Sequence, residues 1–386
     1  MALSKAQKEA VMHREGPAIV LAGPGSGKTT VITERTKYLT QQCGVFPIHI
    51  LVVTFTRAAA QEMQKRFLAL TDSRQTQIRF GTFHSLFFEI LRHAYRYTGA
   101  NIASEEEKYR FLKEITAPMD IEIEDEAEFL HDVAREISRV KNERIPLEHY
   151  YAASVPEELF QEIYRKYCRG MERAGKLDYD DLMVYTWELF SARPDILAGW
   201  RNRFRYILVD EFQDINRLQY DIIKLLAAPR NNLFVVGDDD QSIYRFRGAR
   251  PEIMLNFPKD FPQAKQYLLD RNFRCPGNVC DLAAHVIGRN TVRYEKKIAK
   301  VKEDGLPVEK IIFQDQQQES LGIIQRIQKA LAQGRRYDEI AVLYRNNTDA
   351  GVLSQKLLEY NVPFRMRDSL PNLFEHWIAR HIIAYL

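Results

Sequence analysis

The sequence predicts an α/β fold, and three observations point to it. Short β-branched runs recur between helical patterns, one run leads directly into a glycine-rich loop ending in Lys-Thr, and another ends on adjacent acids. Continuous apolar runs without polar alternation suit parallel strands buried on both faces.

In chain order the runs are AIVLA (18–22), HILVVTF (49–55), YILVD (206–210), LFVVGD (233–238), KIIF (310–313) and EIAVLY (339–344). Between 90 and 176 the alternation gives way to charge-laced helical segments such as EEEKYRFLKEI and HDVAREISRVKNER. The expected organisation is a first α/β lobe formed by 1–89 and 177–261, a helical insertion at 90–176, and a second lobe at 262–386.

The chain has 386 residues, of which 45% are hydrophobic. That is enough for roughly two to three domains with real cores, and it excludes a disordered chain. The net charge is only +3, but it is unevenly spread. Residues 1–100 carry thirteen Lys/Arg against six Asp/Glu, whereas residues 101–130 carry three against ten. A local basic excess suits a polyanion on one face, and the acidic block should repel one. Cys43, Cys168, Cys275 and Cys280 form no Cys-x-x-Cys pair and have no spaced histidines, so neither a zinc site nor a disulfide framework is indicated. The opening MALSKAQKEAVMHREG is charged and helical rather than a signal peptide, and no apolar run approaches the ~20 residues needed to span a bilayer. These features predict a soluble cytoplasmic protein without a membrane partner.

AGPGSGKTT (22–30) sits between the strand AIVL and the helical KTTVITERTKYL, the context that a phosphate-binding loop requires. Gly23, Gly25 and Gly27 let backbone N–H groups turn toward phosphate oxygens, with Pro24, Ser26 and Thr30 completing the cradle. The helix starting near Lys28 adds its positive end. Lys28 is expected on the β/γ phosphates of ATP and Thr29 on Mg²⁺. Ala22 stands where the strict motif has glycine, so this is its relaxed form.

YILVDEFQD then supplies acids at a strand end, with Asp210 expected at the metal and Glu211 as general base. Taken alone, such a pair also occurs as a solvated turn or helix cap. Beside a phosphate loop, acids at the ends of strands in one parallel sheet converge on one crevice.

Nine ordered segments then carry a resemblance: LSKAQKEAV (3–11), AGPGSGKTT, VTFTRAAAQEMQKR (53–66), FGTFHSLFFEILR (80–92), LDYDDLM (177–183), VDEFQDIN (209–216), GDDDQSIYRFRGA (237–249), LDRNFRCP (269–276) and IAVLYRNN (340–347). Together they resemble the superfamily 1 DNA helicases of the UvrD/Rep/PcrA type. The resemblance implies a P-loop, RecA-like first lobe with a helical insertion and a partial second RecA-like lobe. It implies an ATPase that moves 3′ to 5′ on single-stranded DNA and unwinds duplex at single-strand junctions, with DNA repair or replication proteins as partners.

Residue by residue, the resemblance implies that Gln7 selects adenine, Gln241 senses the γ-phosphate, and Arg274 is an arginine finger delivered from the second lobe, with Phe273 beside it stacking on adenine. For DNA it implies Phe55, Tyr244 and Phe246 as stacking faces, and Thr56, Thr82, His84, Arg247, Arg345 and Asn346 as phosphate contacts. Relatives commonly have tryptophan where Phe246 stands. Each aromatic taken singly suits core packing better, and Asp239 reads simply as a strand-end acid facing solvent.

ISRVKNERIP (137–146) looks like a family segment, but its alternating charges also suit a solvent-facing helix. The family's last two motifs are not visible before residue 386, so the chain reads as the N-terminal portion of a longer helicase. Two other readings fit the same residues: a motor subunit of a helicase–nuclease, and a nucleotide-dependent DNA-binding module.

Overall fold

The computed structural model describes residues 3–119, 121, 125–243, 248–346, 349–366 and 382–385. The chain divides into two compact units, residues 1–306 and 307–386.

The strands are β1 Ala18–Ala22, β2 Ile50–Thr54, β3 Arg79–Thr82, β4 Tyr206–Val209, β5 Leu233–Gly237, β6 Lys265–Leu269, β7 Arg271–Asn272 and β8 Ala299–Lys300. The helices are α1 Lys5–Val11, α2 Lys28–Gln41, α3 Arg57–Thr71, α4 Phe83–Tyr95, α5 Glu105–Thr116, α6 Glu126–Glu143, α7 Glu157–Arg173, α8 Tyr179–Ala192, α9 Pro194–Arg203, α10 Arg217–Ala227, α11 Pro251–Asp260, α12 Gly277–Ile287, α13 Gln316–Ala332 and α14 Ala350–Glu359. None of them is long and apolar enough to cross a membrane.

The first unit is built on a six-stranded sheet in the order β3-β2-β4-β5-β1-β6, and every pairing in it is parallel. Successive residues of the central strands supply two different cores. Ile19, Leu21, Leu51, Val53, Val209 and Val235 pack on one face with side chains from α4, α8, α10 and α11. Ala18, Val20, Val52, Leu208, Phe234 and Val236 pack on the other with Val31, Ile32, Met63 and Phe67 of α2 and α3. This two-sided burial explains why the strands read as unbroken apolar runs. Each fully buried Val, Ile or Leu contributes on the order of 1.5–3 kcal/mol.

Residues 265–269 form a strand that the apolar runs of the sequence did not announce. KQYLL pairs with β1 along its whole length, as the edge strand of the first sheet. The two late runs also differ from expectation. Neither 310–313 nor 339–344 joins a ladder among the described residues, and Ile312 and Leu343 are 82% and 93% exposed. A β-branched run becomes a strand only where a neighbouring backbone meets its hydrogen-bonding groups. Described by itself, the second unit packs α13 against α14 through Ile324, Ile327, Leu353 and Leu357.

Helices α5, α6 and α7 enclose their own apolar core around Leu112, Val133, Ile137, Phe160 and Tyr167. A buried ion cluster ties this body to the start of α8. Lys141, whose side chain is only 4% exposed, meets Asp178 at 2.8 Å and Asp181 at 2.6 Å. The Tyr167 hydroxyl donates to Asp178. Asp178 also caps α8, accepting from the Asp181 N–H, while the Asp181 carboxylate accepts from the Asp178 N–H. Burial opposes the charge on Lys141, but the two carboxylates outweigh it and hold its pKa well above the ordinary lysine value. Lys141→Met leaves two buried carboxylates without a cation. It should destabilise the chain by about 3–5 kcal/mol, read as a shift in the urea unfolding midpoint followed by helical circular dichroism.

Candidate active site

Three adjacent strands end together. β1 lies beside β5, and β5 beside β4, with Leu21 opposite Gly237 and Val209 opposite Val235. The residues that follow these strands therefore share one edge of the sheet.

After β1 the loop turns on Gly25 (φ +65°) and Gly27 (φ +86°), left-handed conformations that glycine adopts without steric cost. Gly27 directly precedes the first turn of α2. A Cβ on Gly27 would lie 2.7 Å from Gln7 Nε2, and one on Gly25 would lie 2.7 Å from both Arg274 Cβ and Asn272 Oδ1. The buried Ser26 hydroxyl donates back to Gly23 O at 2.6 Å. Pro24 is exposed, and Thr29 and Thr30 are half-buried on the first turn of α2. The Thr29 hydroxyl makes no hydrogen bond among the described residues, whereas the Thr29 carbonyl accepts from Thr33.

Lys28 Nζ lies 2.6 Å from Glu211 Oε2 and donates to Gln241 Oε1 at 3.3 Å. The three residues come from the ends of β1, β4 and β5, so the sheet edge gathers the lysine, the candidate base and the candidate sensor. Glu211 itself adopts φ +49°. Its carboxylate also accepts from Gln213 Nε2 at 2.9 Å, and Gln213 Oε1 accepts the Asp238 backbone N–H at 3.0 Å. Gln213 thus bridges two strand ends.

Asp210 is 3% exposed and its Oδ1 has no hydrogen-bond partner. Burial, and then the neighbouring Glu211 charge, push its pKa well above the usual carboxylate range against the pull of Lys28. Asp214 is raised by the same two causes, to about 6, and its Oδ1 is likewise without a partner. Such carboxylates fit a cation: a buried acid lacking a donor is what a divalent metal would complement.

Gln7 is 6% exposed and already engaged. Its side-chain oxygen accepts from the Ser4 N–H at 2.8 Å, and its Nε2 donates to Ser26 O at 2.9 Å. One end of the amide therefore closes the capping box of α1 and the other ties α1 to the loop. The Phe273 N–H donates to Gly25 O at 3.0 Å, and Asn272 Oδ1 accepts from the Arg274 and Cys275 N–H groups at 2.8 Å. Phe273 is half-buried and Arg274 exposed. The segment carrying them lies directly against the phosphate loop.

Of the expected DNA residues, Phe55, Thr56, Thr82 and His84 lie at the paired ends of β2 and β3, where Thr54 stands opposite Thr82. Phe55 packs edge-on against Phe83 with ring centroids 5.5 Å apart. Thr56 and Thr82 cap α3 and α4, each accepting an N–H with its hydroxyl oxygen. His84 is half-buried edge-on to Tyr179, and burial lowers its pKa. Arg345 and Asn346 are exposed in the second unit. Tyr244, Phe246 and Arg247 lie outside the described residues.

Asp239 corrects the sequence reading. It is not a solvated strand-end acid, since its side chain is 2% exposed and meets Lys296 at 2.5 Å. Sequence reasoning also passed over Gln213, Asn272 and Lys296. The amide of Gln213 stood within the quoted VDEFQD, and Asn272 within LDRNFRCP; Lys296 carried no local signal at all.

A family model described as the UvrD/REP helicase N-terminal domain matches residues 3–262, and one for the UvrD-like helicase C-terminal domain matches residues 267–386. The chain is 36% identical over 397 residues to the putative ATP-dependent DNA helicase YjcD of Bacillus subtilis (strain 168), covering 100% of this chain and 51% of that protein. It is 36% identical over 372 residues to the ATP-dependent DNA helicase PcrA of Leuconostoc citreum, covering 94% of this chain and 49% of that one. The PcrA of Staphylococcus epidermidis is 35% identical over 370 residues, with 94% and 50% covered. The chain therefore spans about half the length of these relatives. With both domain models matched in order along a parallel α/β sheet and its phosphate loop, the chain belongs to the UvrD/REP helicase family.

Proposed function

We propose that this chain is the ATP-hydrolysing motor portion of a DNA helicase, cleaving ATP to ADP and phosphate as it moves 3′ to 5′ along single-stranded DNA toward a duplex junction. The observation that carries the reading is the meeting of Lys28, Glu211 and Gln241 at three adjacent strand ends. The direction of movement follows from the family resemblance.

In this reading the loop from Gly23 to Thr30 holds the phosphates with backbone N–H groups, and Lys28 leaves Glu211 to meet the β/γ oxygens. Losing that partner frees the Glu211 carboxylate to accept a proton from the attacking water, with Gln213 fixing its orientation. Thr29 and Asp210 would hold Mg²⁺, which when bound spreads the charge of the transferring phosphoryl group. Gln241 reports the terminal phosphate to the segment that follows it. Phe273 stands beside the loop for the adenine, and Arg274 adds a second cation to the transition state. Gln7 supports the base side indirectly, since its amide braces Ser26. The half-buried ring of Phe55 and the Thr56, Thr82 and His84 positions follow the carboxyl ends of β2 and β3 in the same sheet, which suits a strand crossing that edge. On the second unit, Arg345 and Asn346 would grip the backbone. DNA repair or replication proteins are the partners this activity would serve.

Phosphate release measured with and without an oligodeoxythymidylate tests the reading. The wild-type chain should hydrolyse ATP faster with DNA. Glu211→Gln should lower turnover by about 10²–10⁴-fold while still binding ATP, and chelating Mg²⁺ should abolish turnover in both. A wild-type chain that binds DNA in a nucleotide-dependent way, with no turnover and no difference from Glu211→Gln, would instead make it a binding module.

Gly27→Ala is a second test, because the added Cβ meets the Gln7 amide 2.7 Å away in a left-handed conformation. That conformation alone costs about 1–2 kcal/mol. The variant should lose ATP affinity by at least tenfold in a titration of a fluorescent ATP analogue while its far-ultraviolet circular dichroism stays unchanged.

A further inference from the structure

The turn after β5 carries three consecutive acids, Asp238, Asp239 and Asp240, and none is left to solvent. Lys296 comes from the segment between α12 and β8 and places Nζ 2.6 Å from Asp238, 2.5 Å from Asp239 and 3.0 Å from Asp240. Its side chain is 1% exposed. Arg293 reaches Asp240 at 2.7 Å, and the Tyr294 N–H donates to Asp239 at 2.7 Å. Burial opposes the Lys296 charge, but Asp238 and Asp239 more than restore it, so its pKa stands above the ordinary lysine value.

Asp238 divides its two oxygens. Oδ1 accepts from Lys296, and Oδ2 accepts from Gln241 Nε2 at 2.5 Å. With Oδ1 held, the carboxylate plane is fixed and Oδ2 becomes a set anchor for the Gln241 amide. An amide nitrogen carries two hydrogens, so one stays free for a further acceptor. The other end of that amide, Oε1, already lies 3.3 Å from Lys28 Nζ. A continuous chain of hydrogen bonds therefore runs from Lys296 through Asp238 and Gln241 to the lysine of the phosphate loop. The same Asp238 receives its backbone anchor from Gln213, which also holds Glu211.

A second consideration is charge. Three carboxylates beside a site for a triphosphate would repel it across a poorly screened interior. Lys296 and Arg293 together offset two of those three charges.

We propose that Lys296 is a positioning residue for triphosphate recognition: by clamping Asp238, Asp239 and Asp240 it fixes the Gln241 amide where a terminal phosphate would sit. This rests on the reading of the crevice as an ATP site. It ties the site to a segment 58 residues along the chain from Asp238. Lys296 makes no contact with the phosphate loop among the hydrogen bonds and ion pairs of the described residues, so its effect passes through Gln241.

Isothermal titration of the full 386-residue chain with ADP and with β,γ-imido-ATP tests it. Lys296→Met should weaken the imido analogue by about tenfold, the worth of one charge-assisted hydrogen bond, while ADP changes by less than about twofold. Arg293→Ala, which removes a contact to Asp240 only, should leave the ratio of the two affinities unchanged. Should Lys296→Met fail to fold, Lys296→Arg reads the same ratio. Its planar fork keeps the buried charge but not the single point where three carboxylates meet, so the imido analogue should again lose more than ADP. Equal losses for both nucleotides in the folded variant, or no loss for either, would overturn the proposal while leaving the ATP site intact. A wild-type chain that bound neither nucleotide would overturn the proposed function and this inference with it.

Discussion

A parallel sheet offers chemistry at only one edge, where its strands end and the chain turns back into helices. Here that constraint acts on three neighbours, β4, β5 and β1, whose register sets Val209, Val235 and Ile19 level with one another. The phosphate loop and the Asp-Gln turn are 213 residues apart between Lys28 and Gln241, with the acid pair in between, but the strand order leaves them no place except beside one another. Burial on both faces holds the strands in that register, because sliding one residue along would put every side chain on the wrong core.

Charge balance at this edge is deliberately incomplete. Lys28 meets Glu211, yet the buried Oδ1 atoms of Asp210 and Asp214 have no donor. An unpaired buried carboxylate is costly, and its pKa rises until the charge is shared or lost. In the adjoining turn Lys296 and Arg293 stand against three acids, and there too Asp240 Oδ1 and Arg293 Nε have no partner.

Much of this was legible in the sequence wherever the cause was local. β1, β2, β4 and β5 announced themselves as apolar runs because both of their faces are covered. The loop glycines did so because left-handed turns need them, and Asp210 and Glu211 because they follow a buried strand. KQYLL was harder to place: its Lys265, Gln266 and Leu268 are exposed on the sheet edge, so the pattern gave no partner. KIIF and EIAVLY had the composition of strands but not the neighbours. Asp239 was misread because its environment is set by Lys296, 57 residues away, and no spacing rule links the two. Gln7 and Arg274 showed their kind but not their engagement, since side-chain partners across the fold are invisible to a linear pattern.

The contact between Gly25 and the segment after β6 carries a mechanical consequence. Asn272 Oδ1 and Arg274 Cβ occupy the space a side chain on Gly25 would need, and the Phe273 N–H donates to the Gly25 carbonyl. Asn272 in turn caps the Arg274 and Cys275 N–H groups, so this segment is a rigid unit fastened to the loop by its backbone. On the opposite side, the Gln7 amide fastens Ser26 to α1. The loop is held between two braces, and a ligand that rotates its peptide groups must either carry β7 with it or break the Phe273 bond. A backbone hydrogen bond is worth only about 0.5–1.5 kcal/mol net, within the reach of a bound phosphate. Movement of the arginine-bearing segment with the state of the loop therefore needs no long relay, because the two are already one hydrogen bond apart.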